Sequence, residues 1–217
     1  MIHLHRFTFN AFQENTYVVW DDTLDCLIVD PGCSNATEQM ELCTFIAGHN
    51  LKPVQLINTH CHIDHILGNS FCVQKYNIPF YMHELDLPVL DSGTPTAMMY
   101  QIPYDTSPRP TAYLKEGINL KFGESELEIV FTPGHSPGSI SFIAREEKFV
   151  ISGDVLFRHS VGRVDLPGGD KDVLLKSIEE QLLTLPAEFL VYSGHGPETT
   201  IGHEKKYNPF LNGTYSL

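Results

Sequence analysis

The string Thr59-His60-Cys61-His62-Ile63-Asp64-His65 constrains this chain more than any other feature of its sequence. Within six residues it offers four side chains with lone pairs for a metal, directly after an apolar run, residues 54–58, that reads as a buried strand. A strand end holds its backbone rigidly enough to aim side chains. Three later positions repeat the arrangement: His135 in Thr132-Pro133-Gly134-His135, Asp154 in Ser152-Gly153-Asp154 and His195 in Ser193-Gly194-His195. Each follows a glycine at or just past the end of a predicted strand. Glycine lets the backbone turn sharply and approach closely, so four strand ends are expected to converge on one metal centre.

The rest of the pattern supplies layers around it. Strands are predicted over residues 3–9, 16–20 and 26–30, the last closed by Pro31-Gly32, and an amphipathic helix from Ser34 to about His49. Further helices are predicted over 66–76, 84–90 and 172–183, with strands over 79–82, 126–131, 139–144, 149–152 and 189–192. Residues 91–111 carry Pro95, Pro103, Pro108 and Pro110 beside Met98, Met99, Tyr100 and Tyr104; they read either as an insertion lining a pocket or as a surface loop without a role. Sheets packed face to face with helices outside fit this order, as do other α/β layouts, and residues 1–217 are expected to make a single domain.

Composition narrows the partners. A formal net charge of -13 opposes a nucleic-acid surface, which needs clustered Lys and Arg, and favours a small-molecule substrate. Any Asp that binds metal is neutralised there, so the site mouth can still be positive. No apolar stretch approaches ~18 residues, and the opening MIHLHRFTFN lacks a cationic segment followed by an apolar run, so no membrane association and a cytoplasmic location are expected. Five cysteines without Cys-x-x-Cys spacing point to reduced, mostly buried thiols, Cys61 included.

The His-x-His-x-Asp-His string with the downstream His135, Asp154 and His195 resembles the metallo-β-lactamase superfamily, and the resemblance spans nearly the whole chain. Within it, residues 10–17, 152–157, 161–165 and 202–210 are similar to glyoxalase II-like (hydroxyacylglutathione hydrolase-like) enzymes. The resemblance implies a four-layer αββα sandwich with the site at one edge of the sheets. It assigns His60, His62 and His135 to a first ion, Asp64, His65 and His195 to a second, and Asp154 to a bridging position. Two divalent ions are implied, zinc first, with iron or manganese as alternatives. Lactamases proper often carry Cys where Asp154 stands, which points away from β-lactam hydrolysis.

Two ions ~3.5–4 Å apart would deprotonate a bridging water and polarise a carbonyl. A thioester suits such a site because its thiolate leaves with little acid help. Asp64 relays a proton only while it remains a ligand. Asp30 is expected to hold the loops beneath the site through hydrogen bonds. Arg163 either pairs with Asp165 or reaches a substrate carboxylate, and Lys205, with Arg158 and Lys206, is a weaker anion contact. The expected reaction is hydrolysis of an S-acylglutathione or another thiol ester. The alternatives are a persulfide dioxygenase with one iron on residues matching His60, His135 and Asp154, and a non-catalytic metal-binding protein on the same scaffold.

Overall fold

The run Asp25–Val29 leaves four successive residues fully buried, so its sheet has to be covered on both faces. A computed structural model describes residues 1–215 and shows how this is done. The pleat sorts the side chains: Cys26 and Ile28 join a core beneath helices, while Leu27 and Val29 join a core between two sheets.

The first sheet has the order β1 (His3–Phe9), β2 (Glu14–Trp20), β3 (Asp25–Val29), β4 (Lys52–Ile57), β5 (Phe80–His83) and β6 (Ala112–Leu114). Its first three strands pair antiparallel and the others join in parallel, because parallel pairing needs crossovers long enough to hold helices. These crossovers carry α1 (Ala36–Gly48), then α2 (Ile63–Ile66) and α3 (Asn69–Tyr76), then α4 (Leu87–Asp91) and α5 (Gly93–Tyr100). The second sheet is a meander of β7 (Leu120–Phe122), β8 (Ser125–Phe131), β9 (Ile140–Ala144) and β10 (Phe149–Gly153). A hairpin, β11 (Leu156–Phe157) and β12 (Ser160–Val161), and α6 (Lys171–Ser177) lead on to β13 (Leu190–Ser193), parallel to β10. The edge strand β14 (Thr199–Thr200) and α7 (Ile201–Tyr207) follow.

Three cores separate four layers. Leu42, Ile46 and Cys72 from the helices meet Val18, Ile28 and Leu56; Tyr17, Val19 and Ile57 meet Leu127, Phe142 and Ile151 between the sheets; and Val130, Val150 and Val191 meet Leu174, Ile178 and Leu182. This is the αββα sandwich. Among the described residues no helix is long and apolar enough to cross a membrane.

The structure corrects several expectations. The first helix is capped by Asn35 rather than Ser34, its side chain accepting from the N–H groups of Thr37 and Glu38. The single helix expected over 66–76 is two, α2 and α3, parted near Gly68, whose N–H goes to the Pro31 carbonyl at 2.7 Å. Residues 91–111, to which the sequence assigns no helix, hold α5 in their first half. The strands β6 and β7 are three residues each, too short to set up a readable alternation. The last expected helix runs on from α6 through a π-helical turn over Ile178–Leu182.

Candidate metal centre

Asn58 and Thr59 carry the chain from β4 to His60, and His62 is the N-cap of α2, so the first turn of that helix holds Asp64 and His65 beside it. His135 lies in the β8–β9 loop, Asp154 directly after β10 and His195 two residues past β13. These seven side chains meet. His62 Nδ1 and His135 Nε2 are 2.8 Å apart, and His60 completes a group whose donor atoms all lie within 4.8 Å. Asp64, His65 and His195 form a second such group, with Asp64 Oδ2 3.0 Å from His195 Nε2 and 3.5 Å from His65 Nε2. Asp154 stands between the groups: Oδ1 is 3.5 Å from His65 Nε2, and Oδ2 is 3.6 Å from His135 Nε2 and 3.5 Å from His195 Nε2.

For four of the five rings the surroundings fix which nitrogen faces inward. A carbonyl oxygen only accepts, so the ring nitrogen facing it carries the proton and the opposite one keeps its lone pair. His135 Nδ1 donates to the Arg163 carbonyl at 2.8 Å, and His195 Nδ1 lies 3.1 and 3.2 Å from the carbonyls of Phe12 and Gln13. His65 Nδ1 donates to the Asp30 carboxylate at 3.2 Å. Asp30 also accepts from the Thr59 N–H at 2.7 Å and the Thr59 hydroxyl at 2.6 Å. That hydroxyl proton being committed, Thr59 Oγ1 accepts from His60 Nδ1 at 3.0 Å. Four rings therefore present Nε2, and His62 turns Nδ1 toward His135 Nε2.

Nε2 of His60, Nε2 of His65 and Oδ1 of Asp154 are buried with no hydrogen-bond partner. Such atoms are costly in a folded interior unless a cation takes them. Nitrogen and carboxylate oxygen donors in this number fit two borderline divalent ions, zinc, iron or manganese among them. Burial keeps His60 neutral, and burial with the neighbouring His135 brings His62 down to about 3, so both hold a lone pair at neutral pH. Burial also opposes charge on His65, but the carboxylates of Asp64 and Asp154 outweigh it and raise the imidazole; His195 rises against burial through its bond to Asp64. Burial acts against ionised Asp154, yet His65, His135 and His195 hold it well below the usual carboxylate range.

Two buried carboxyl groups behind the ligands follow no spacing rule in the sequence. Asp86 accepts from the Cys61 N–H at 2.6 Å, the Ser136 hydroxyl at 2.5 Å and the Gly138 N–H at 2.6 Å, tying the loop of His60 and His62 to that of His135. Burial raises its carboxyl despite these bonds. Glu14 opens β2 with Oε1 3.8 Å from His65 Nδ1, and burial raises its carboxyl too. Cys61 is buried and its thiol pushed up by that burial, so it offers no reactive thiolate.

A cavity of about 930 Å³ opens above the centre, with His62, Asp64, His135, Asp154 and His195 at its floor. Residues from the 91–111 segment line it, Met99 and Tyr100 among them. Arg158 and Arg163 reach it, and Arg163 is held by Asp165 through two bonds of 2.6 and 2.7 Å. Lys205, exposed on α7, is not among the lining residues.

Comparison with known proteins agrees with this geometry. The chain is 41% identical over 209 residues to a probable metallo-hydrolase of Bacillus subtilis, YqgX, covering 96% of this chain and 97% of that one. It is 37% identical over 204 residues to the hydroxyacylglutathione hydrolase GloC of Haemophilus influenzae, covering 93% and 94%. Among solved structures it is similar to the BLEG-1 B3 metallo-beta-lactamase, with TM-score 0.86 and 36% identity over 97% of this chain and 100% of that one. It is similar also to TTHA1623 in a di-iron-bound form, with TM-score 0.85 and 38% identity over 95% and 100%. The family pattern matches residues 9–195, and the chain belongs to the metallo-beta-lactamase superfamily.

Proposed function

We propose that this chain is a metal-dependent hydrolase that cleaves a thioester, with S-acylglutathiones as the substrate class to test first. The observation that carries the reading is the convergence of seven donor side chains, three of whose buried atoms make no hydrogen bond. His60, His62 and His135 would hold one ion, Asp64, His65 and His195 the other, and Asp154 would lie between them, with zinc the first choice. When bound, the ions supply Lewis acidity and the means to acidify a water at neutral pH. The likeness to GloC supports the thioester.

The chain's own residues orient and shield. Asp30, Thr59 and the carbonyls of Phe12, Gln13 and Arg163 lock the imidazoles so that their lone pairs point inward. Asp64 would relay a proton only while remaining a ligand of the second ion. Phe12, Ile63 and Val161 line the cavity and keep bulk water off the reacting carbonyl. The departing thiolate needs no dedicated acid, because an alkyl thiol has a pKa of about 8.5.

The test is elemental analysis of protein purified without chelator, beside hydrolysis of S-acylglutathiones and, as a control, a cephalosporin. Two ions per chain with metal-dependent thioester cleavage, lost in His62→Ala while circular dichroism stays unchanged, is the expected result. One iron per chain with oxygen uptake on glutathione persulfide would overturn it, as would cleavage of the cephalosporin alone.

A further inference from the structure

We propose that the cavity above the metal centre selects its thioester by an apolar acyl arm, preferring aliphatic or aryl acyl groups of several carbons to acetyl-sized ones. The proposal rests on the thioesterase reading above and adds the acyl specificity. Met99 and Tyr100, at the last turn of α5, line the cavity and yet are 69% and 44% exposed. A methionine and a tyrosine held open on a cavity rim leave apolar surface in water that an apolar ligand would cover.

The wall is preformed. The Tyr100 ring meets Phe12, from the β1–β2 turn, edge to face at 5.4 Å, which ties the end of α5 to the first sheet. At the other end of α5, Gly93 packs so closely on the Tyr104 ring that a Cβ there would stand 2.9 Å from its hydroxyl, and that hydroxyl accepts from the Ser107 N–H at 3.0 Å. Val89 from α4 and Phe157 from β11 continue the apolar lining. The Ser92 hydroxyl beside it is turned to the Val89 carbonyl at 2.7 Å, while Thr96 and the Tyr100 hydroxyl are the polar points on the lining.

The cations fit the same division. Arg163 is engaged by Asp165, whereas Arg158 makes no ion pair among the described residues. One free guanidinium suits one carboxylate of the thiol carrier, and the acyl side is left to the apolar wall.

The experiment compares kcat/KM for acetyl, lactoyl, butanoyl and octanoyl thioesters on a single carrier, first glutathione and then N-acetylcysteamine, so that carrier effects cancel in the ratios. Each methylene buried is worth about three- to fourfold, so octanoyl should exceed acetyl by on the order of fiftyfold if about three methylenes reach the wall. Met99→Ser combined with Tyr100→Ser should cut that ratio at least ~fivefold. Met99→Ser alone, at a position this exposed, reads the same ratio should the double variant fail to fold. A flat ratio in the wild type, or one unchanged in the variants, overturns the proposal. If no thioester is cleaved, the parent reading fails, and the wall is then judged by binding of octanoate against acetate to the zinc-loaded protein. A preference on the order of tenfold for octanoate, lost in Met99→Ser, supports the wall; equal affinities overturn it.

Discussion

Gly194→Ala is the substitution that most directly probes how the centre is built. Gly194 is pinned on both sides, its N–H on the Gly153 carbonyl at 2.9 Å and its carbonyl on the Asn15 N–H at 2.7 Å, so the backbone has no room to retreat. A Cβ there would stand 2.7 Å from His65 Cε1 and nearer still to Asp154 Oδ1, whereas real Cβ contacts stay outside 3.0 Å. Gly194 is not among the glycines with positive φ, so alanine brings no backbone strain and the effect falls on two proposed ligands. Asp154 has to move by roughly 1 Å, a misplacement that can cost ~100-fold in rate. Overpacking of this kind costs about 1–3 kcal/mol, which for a chain of this length is a fall in Tm of roughly 2–12 °C. Gly48→Ala is the control, because its Cβ would enter open space at the end of α1; it should be neutral or stabilising by up to ~1 kcal/mol. The assay is kcat/KM on the best thioester with zinc content after gel filtration and Tm by calorimetry. A Gly194→Ala enzyme with full metal content and kcat/KM within threefold of wild type would refute the steric argument.

Asp30→Ala strands the buried N–H of Thr59 and Nδ1–H of His65; at about 1–3 kcal/mol per buried unpaired donor, Tm should fall by roughly 5 °C or more. An unchanged Tm would show that water replaces the carboxylate. Asp86→Asn turns an amide N–H₂ toward one of the three donors that the carboxylate accepts. Chelator competition should then show weaker zinc binding, with the far-UV spectrum retained; wild-type affinity would remove Asp86 from the positioning of the centre.

The sequence discloses the donors and conceals the setting for a physical reason. Metal binding demands rare residue types at fixed intervals, so His60, His62, Asp64 and His65 stand out before any fold is known, and the glycines before His135, Asp154 and His195 mark turns at or beyond strand ends. The layers are readable from apolar runs such as Asp25–Val29, whose uninterrupted burial requires cover on both faces. Asp86 and Glu14 act only through tertiary burial, and nothing local separates them from surface carboxylates. In α5 the last turn is exposed and its proline sits where a loop is expected, so Met98, Met99 and Tyr100 carry no helical stripe; the place of Tyr100 follows from its contact with Phe12, nearly ninety positions away.

The buried carboxylates also predict how the metal couples to stability. Without ions, the charge of Asp64 and Asp154 falls on His65 and His195, which is why both imidazoles are raised despite burial. A base whose folded pKa exceeds its unfolded value contributes stability that is fully present below the unfolded value, about 6.5 for His, and is lost as pH rises through the folded value. His60 and His62, lowered in the fold, are neutral in both states above that pH and add no slope there. Chelated protein should therefore lose Tm on going from pH 6.5 upward. Ion binding needs the same two rings neutral, so zinc-loaded protein gains relative to chelated protein over the same window. Calorimetry across pH 6.5 to 9, with and without chelator, should show the two Tm curves diverging. Parallel curves would mean that His65 and His195 do not carry the charge of the empty centre, and the assignment of Asp64 and Asp154 to that centre would fall with them.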